Sequence, residues 1–389
     1  MLRDVHQRVV ARMRRNGCSE SLIRKATRYI DEPDRDVLVL GFARRFATYK
    51  RATLMFADPD RLKRLLTDPK RPVVVIFAGK AHPQDEPGQQ LIKTIHDFSQ
   101  HPDFIGHIIL LENYDMALAR KLVSGVDVWI NNPEYPLEAC GTSGQKAAIN
   151  GVLNLSVLDG WWDEGYNGAN GWAVVPHEPH YDPGYRYREE AADLINILES
   201  EVVPAFYERG TLGYSERWIR MCRESMWSIL PQFNAQRMVL DYITKMYRPA
   251  IRGHEVLMRE NARGARELAA WKRVVRDAWP NVSLRLIGEV PAAVSCDAPL
   301  SLEVEAALGG LGADDVRVEL VLGERDEAGA FRVVSRHPFS PAGEAAGGRC
   351  RFGLSLPMLN CGLMHFKVCI YPYHPLLAHP YEMGCMKWL

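Results

Sequence analysis

At roughly 150 residues per domain, a chain of 389 residues is expected to form two or three domains. Its 47% hydrophobic and 25% charged residues suffice for a large core and exclude disorder over most of the length. Forty-eight Lys plus Arg balance 48 Asp plus Glu, so no overall field recruits nucleic acid or an anionic membrane, and any basic site must be local.

Leu2, Val5, Val9 and Met13 recur at helical spacing, which predicts an amphipathic helix over Leu2–Arg15. The segment is rich in Arg but has no small-residue cleavage site, so it reads as structure and not as a presequence. A second helix is expected over Ser19–Ile30, then a turn over Asp31–Arg35 feeding the apolar run Val37–Leu40. Such short continuous apolar runs mark strands buried on both faces. The alternation recurs: a strand Val73–Phe77, a helix Gln84–Phe98, a strand His107–Leu111, a helix Asp115–Val123, a strand Val126–Ile130, a Gly-rich turn with a helix, and a strand Val152–Val157. Buried strands joined by helical crossovers predict an open, doubly wound α/β domain with a parallel sheet, whose ligands sit at the C-terminal strand ends. Arg186–Arg273 is expected to be helical, its apolar stripes serving helix packing. Beyond Val282, alternating segments near Ser283, Leu300, Val316, Arg351 and His365 predict an antiparallel β-sandwich, with Trp279-Pro280-Asn281 at its border. The expected division is 1–35 for N-terminal helices, 36–248 for the α/β domain, 249–280 for a connecting helix and 281–389 for the β-sandwich.

Eight cysteines, Cys296 and Cys361 among them, form neither a CxxC pair nor a cluster with His, so neither a zinc site nor a disulfide framework is signalled. With no apolar run of membrane-spanning length, the expectation is a cytoplasmic protein with reduced thiols, no metal, no membrane and no nucleic-acid partner.

Chemistry concentrates in four loops. Gly141-Thr142-Ser143-Gly144 opens a helix after a buried strand, where small residues let backbone N–H groups approach an anion. Lys146 is placed in the first turn of that helix, where a lysine can pair with a phosphate or form a Schiff base with an aldehyde cofactor; a structural glycine turn with a solvated lysine is the alternative. After the first strand, Arg44, Arg45 and Lys50 can surround a phosphate, or they form a solvated helix face. Gly79-Lys80-Ala81-His82 and Glu112-Asn113-Tyr114 complete a ring of polar loops.

The run Gly41–Thr53, the segment Phe77–Pro83, Leu111–Tyr114, and Glu138–Gly151 followed by Leu158–Asp163 resemble, in order, the C-terminal catalytic half of bacterial α-glucan (glycogen or maltodextrin) phosphorylases. The resemblance extends more weakly through the helical region into the β-domain. It implies a Rossmann-like fold, the C-terminal domain of the GT-B architecture, and transfer of glucose from α-1,4-glucan to inorganic phosphate with retention, giving glucose 1-phosphate. By motif, Lys146 resembles the lysine that holds pyridoxal 5′-phosphate as a Schiff base. Thr142, Ser143, Arg44 and Lys50 resemble the cradle of the cofactor phosphate, and Tyr114 a tyrosine lining its pocket. Arg45, Lys50 and the Gly141 backbone resemble the binders of substrate phosphate, and Glu138 the carboxylate that holds sugar hydroxyls. Arg51, one position beyond Lys50, is expected to matter less. Two residues depart from the family pattern: Cys140 stands where Ser is usual and Gln145 where Met is usual.

Family members carry an N-terminal domain that forms the other wall of the cleft, whereas this chain starts just upstream of the C-terminal one. The expectation is therefore a stable fold that is a poor catalyst alone, completed by an N-terminal-half polypeptide or a homo-oligomer. A non-catalytic subunit that binds glucan or a partner is the competing reading. A nucleotide-sugar glycogen synthase would share the architecture, but the placement of Gln145-Lys146 and the spacing of Arg45 and Lys50 favour phosphorylase.

Overall fold

Six strands, each almost wholly buried, organise the first part of the chain: β1 (Leu38–Ala43), β2 (Val73–Ala78), β3 (Ile108–Leu111), β4 (Val128–Asn131), β5 (Leu153–Val157) and β6 (Gly171–Val174). The computed structural model describes residues 1–31, 36–211, 213–291, 293–295, 298–325, 329–345, 348–357 and 362–389. The expected turn over Asp31–Arg35 lies, beyond Asp31, outside the described residues, as do Cys296 and Cys361. Two compact units are formed, Met1–Met238 and Val239–Leu389. The break between them and the expected border at 248/249 fall in the same helical stretch.

In the first unit all strands are parallel, in the order β3-β2-β1-β4-β5-β6. Alternate residues of β1 serve opposite faces. Leu38, Leu40 and Phe42 join one core with Leu62, Ile95 and Leu194. Val39 and Ala43 join the other with Val5, Val9, Ile23 and Leu118. Helices α1 (Leu2–Arg15), α2 (Glu20–Thr27), α3 (Pro59–Leu66), α4 (Glu86–Gln100), α5 (Met116–Val123), α6 (Thr142–Ile149), α7 (Trp161–Gly165) and α8 (Pro183–Ile197) cover the sheet or its ends, followed by α9 (Val203–Tyr207) and α10 (Glu216–Gln232). This is the doubly wound class read from the alternation. Strand β6 was not foreseen, because Gly171-Trp-Ala-Val174 is short and follows Gly168-Ala-Asn170. The chain order reverses between β1 and β4, so the loops after these two strands flank the switch point, where open α/β sheets bind ligands.

The second unit contains the second half of α11 (Ala235–Tyr242) and all of α12 (Arg248–Ala278). The expected connecting helix is broken within α12 at Arg259–Ala262, where Glu260, Asn261 and Ala262 have positive φ. Strands β7 (Ser283–Ile287), β8 (Pro299–Ala307), β9 (Val316–Arg325), β10 (Phe331–Pro338), β11 (Ser340–Ala345), β12 (Arg349–Pro357), β13 (His365–Pro372) and β14 (Lys387–Trp388) form two antiparallel sheets. Their orders are β10-β9-β13-β14 and β11-β12-β8-β7. Val304, Val318, Leu320, Phe352 and Ile370 fill the space between the sheets, together with Val275 and Trp279 from the end of the helical segment. β10 and β11 escaped the sequence reading because their side chains are largely exposed and show no alternation of apolar with polar residues. Among the described residues no helix is long and apolar enough to cross a membrane.

At the N-terminal edge of the large sheet, opposite the switch-point loops, Asp127 accepts the Val39 N–H at 2.9 Å and donates its own N–H to the Val39 carbonyl at 2.9 Å. Burial raises its pKa to about 7 from the ordinary 3.8, outweighing the stabilising Val39 bond. The unfolded chain thus ionises Asp127 near pH 3.8 while the fold keeps the proton until about pH 7. Stability therefore falls as pH rises between those values, and the penalty is complete above them. Asp127→Asn, which retains the acceptor, should match the parent near pH 4 and exceed it by about 4 kcal/mol at pH 8 in urea denaturation. A variant no more stable than the parent at pH 8 would contradict a buried, penalised carboxylate.

Candidate active site

Both loops at the switch point deliver charge. After β1 the backbone runs close over the end of β2, with the Arg44 N–H bonded to the Ala78 carbonyl at 3.1 Å. This approach needs Gly79: a β-carbon there, at φ 154°, would lie 2.0 Å from the Arg44 carbonyl oxygen. A 3₁₀ turn, Thr48–Lys50, then brings Lys50 back to the same edge.

After β4 the loop carries Glu138, which is buried. Arg44 Nη2 donates to Glu138 Oε1 at 2.8 Å, and Lys50 Nζ donates to Oε2. The Glu138 N–H is held by Asp159 Oδ2 at 2.9 Å. Burial raises the pKa of Asp159 in spite of the N–H groups of Glu138 and Gly160 that it accepts. Lys50 also lies 4.4 Å above the ring of Tyr49. Burial raises the proton affinity of the Tyr49 phenol, but bonds to Lys50 and Arg45 outweigh it and the net pKa is lowered. Arg45 is exposed and belongs with Tyr49, outside the Glu138 cluster.

Gly141 follows in the left-handed region at φ 94° and precedes α6 without a side-chain cap. A β-carbon on Gly141 would stand 3.0 Å from Glu138 Oε1, so any larger residue would crowd the carboxylate. The uncapped N-terminus leaves the first-turn N–H groups of Thr142 and Ser143 available to an anion. The rear of the helix is fixed by Ala148, which packs with Trp161, Trp162 and Ile229. Lys146 lies one turn further along than its sequence placement, in the second turn; it is exposed, with no side-chain hydrogen bond or ion pair among the described residues. Tyr114 is half-buried near Arg44, its hydroxyl 3.5 Å from the Ala43 carbonyl, and burial raises its pKa. Lys80 and His82 remain exposed. Among the described residues no cluster of His, Cys, Asp and Glu could hold a metal.

The structure thus joins Arg44, Lys50, Glu138 and Tyr114 on one edge, next to Gly141, Thr142 and Ser143. Sequence reasoning missed Tyr49 and Asp159. Tyr49 lay within the quoted run without being singled out. Asp159 acts on backbone 21 residues away, which spacing alone does not reveal.

Residues 23–162 match the carbohydrate phosphorylase family, and residues 279–389 match the glycogen phosphorylase C-terminal domain. Together the two matches cover well over half of the chain, one in each unit. The chain belongs to the α-glucan phosphorylase family. A maltodextrin phosphorylase of Thermococcus litoralis is 43% identical over 92% of this chain and 43% of its own length. A glycogen phosphorylase of Mycobacterium bovis is 41% identical over 90% of this chain and 41% of its own. A glycogen phosphorylase of Aquifex aeolicus is 54% identical over 55% of this chain and 30% of its own. The chain therefore spans about two-fifths of the length of the first two phosphorylases. All the candidate site residues, from Arg44 to Lys146, fall inside the phosphorylase match.

Glu138→Gln would leave two largely buried cations facing a neutral amide, which should cost about 3 kcal/mol in urea denaturation. Inorganic phosphate at millimolar concentration should recover part of that loss and stabilise the variant more than the parent. Equal stability of the two proteins, or no response to phosphate, would show that the cations do not need an anion.

Proposed function

We propose that this chain forms the phosphate side of an α-1,4-glucan phosphorylase site, transferring glucose with retention from glucan to inorganic phosphate and yielding glucose 1-phosphate. The observation that carries the reading is the convergence of Arg44 and Lys50 on one carboxylate at the switch point. A polypeptide equivalent to the N-terminal part of the relatives would supply the glucan side of the cleft, with exclusion of water from the sugar.

The residues fit a phosphate-bearing cofactor. Arg44 Nη1 is buried with no hydrogen-bond partner among the described residues, α6 lacks a side-chain cap, and Gly141 presents no side chain. In this reading pyridoxal 5′-phosphate is held covalently by Lys146. Arg44, Lys50, Thr142 and Ser143 would hold its phosphate, and Tyr114 would line its pocket. When bound, the cofactor phosphate contributes an acid–base group beside the substrate phosphate.

Arg45, Lys50 and the Gly141 N–H bind inorganic phosphate. Positive charge at this edge makes two neighbouring phosphates tolerable, because like anions otherwise raise each other's proton affinity. Glu138 holds hydroxyls of the transferred glucose once phosphate has taken over the cations. The glycosidic C1–O bond breaks, and its oxygen receives the proton of hydrogen phosphate. A phosphate oxygen then bonds to C1 on the same face, after an oxocarbenium-like sugar stabilised by the adjacent anion. The net change is one glucosyl unit exchanged for one proton.

Borohydride reduction after incubation with pyridoxal 5′-phosphate should label Lys146, and Lys146→Ala should abolish both the label and the absorbance of the bound cofactor. In the assembled enzyme, Lys50→Ala should lower kcat/KM for phosphorolysis by about 3 kcal/mol. Labelling at another lysine would remove the cofactor assignment. A labelled, assembled protein that released no glucose 1-phosphate would instead favour a non-catalytic subunit.

A further inference from the structure

Lys50 and Glu138 reach the site on separate stretches of backbone, the turn Thr48–Lys50 and the loop after β4, and Arg51 ties those stretches together. Arg51 has left-handed φ 46° and ψ 48°, a conformation that a non-glycine residue keeps only where its surroundings over-determine it. Its Nε donates to the Asn132 carbonyl at 2.9 Å and its Nη2 to the Pro133 carbonyl at 2.7 Å. Glu190 on α8, 0% exposed, meets the same guanidinium at 2.6 Å and accepts the His177 N–H at 3.1 Å. One helical turn earlier, the buried Arg186 donates to the Tyr135 carbonyl at 2.7 Å and faces Glu134 at 3.6 Å. The Glu134 N–H bonds back to the carbonyl of Tyr49, the residue before Lys50, at 2.7 Å.

We propose that Arg51 and Glu190 are positioning residues: by fixing the Asn132–Tyr135 backbone against the Thr48–Lys50 turn, they set the meeting of Lys50 with Glu138. The assignment rests on the use proposed above for those two residues. Three of the bonds go to the main-chain carbonyls of Asn132, Pro133 and Tyr135, so the network dictates the path of the loop. A planar guanidinium spans two carbonyls at once, and an ammonium cannot. A cavity of about 290 Å³ lined by Thr48, Arg51, Glu134, Arg186 and Tyr187 lies beside the network, so packing alone does not confine the loop. Glu190 keeps the buried guanidinium from being an uncompensated charge.

The test is the reactivity of Lys50 toward acetic anhydride in the full chain, followed by peptide mass mapping, with exposed Lys146 as the reference. Lys50, buried against Glu138, should react slowly in the parent. In Arg51→Lys and in Glu190→Gln its rate relative to Lys146 should rise at least roughly tenfold, the worth of one charge-assisted hydrogen bond, while a cooperative thermal transition persists. If either variant does not fold, the paired change Arg51→Met with Glu190→Leu removes both charges while filling the space, and the same rise is expected. An unchanged Lys50 rate in a folded variant overturns the proposal, because a merely structural role moves the melting temperature alone. The labelling requires neither cofactor nor phosphate. Failure of borohydride to mark Lys146 would therefore sink the phosphorylase reading without touching this result.

Discussion

Two cations held against one carboxylate, at the ends of neighbouring parallel strands, set the terms for the rest of the α/β unit. Arg44 and Lys50 are largely buried, and charges removed from water must be matched by opposite charge and hydrogen bonds. Glu138 supplies that match. Its N–H is pinned by Asp159, and its loop is fastened through Asn132, Pro133 and Tyr135 to the Arg51, Glu190 and Arg186 network. The fold contributes the rigid part. β1 and β4 pair in register at Leu40–Val128 and Gly41–Trp129, so the segments leaving them emerge side by side.

Charge at the other end of the sheet has a different use. Asp127 ties β1 to the start of β4 by one backbone bond and one bond from the Val39 N–H to its carboxyl, which is disfavoured as an anion with no cation bonded to it among the described residues. The N-terminal edge thus serves the sheet's integrity, while the C-terminal edge collects positive charge that an anion can claim. In the second unit Arg285 and Arg349 also meet one buried carboxylate, Glu305, but Arg285 is exposed to solvent and Arg349 partly so. Val304, Val318, Phe352 and Ile370 meet across two sheets in an apolar interior.

The parallel sheet was legible because four of its strands centre on short apolar runs, a pattern forced by burial on both faces, and the fifth, Leu153–Val157, keeps apolar residues at alternate positions around the buried Asn154 and Ser156. The sixth, Gly171–Val174, is too short and too rich in small residues for periodicity to register. The site was legible in part: Arg44, Lys50, Glu138 and Tyr114 lie on loops that the strand order brings together. The weight given to Arg51 was not. One residue past Lys50 it reads as a further surface cation, yet its left-handed backbone turns it to partners 81 and 82 residues away in sequence. Such pairings follow from topology, which residue spacing does not encode. Lys146 was placed in the first turn because the glycine-rich stretch blurs where α6 begins. The helix starts at Thr142, and that puts the lysine in its second turn.

The central claim is that the charge at this edge is arranged for a phosphate, with Glu138 neutralising the cations until one arrives. The most direct measurement is a crystal structure of the chain at saturating inorganic phosphate. The account predicts an anion bonded to Lys50 together with Arg45 or, at the position assigned to the cofactor phosphate, Arg44, within reach of the N–H groups of Gly141 and Thr142, and a Glu138 carboxylate that has released at least one of the two cations. Glu138 still holding both, with phosphate bound elsewhere or not at all, would contradict it.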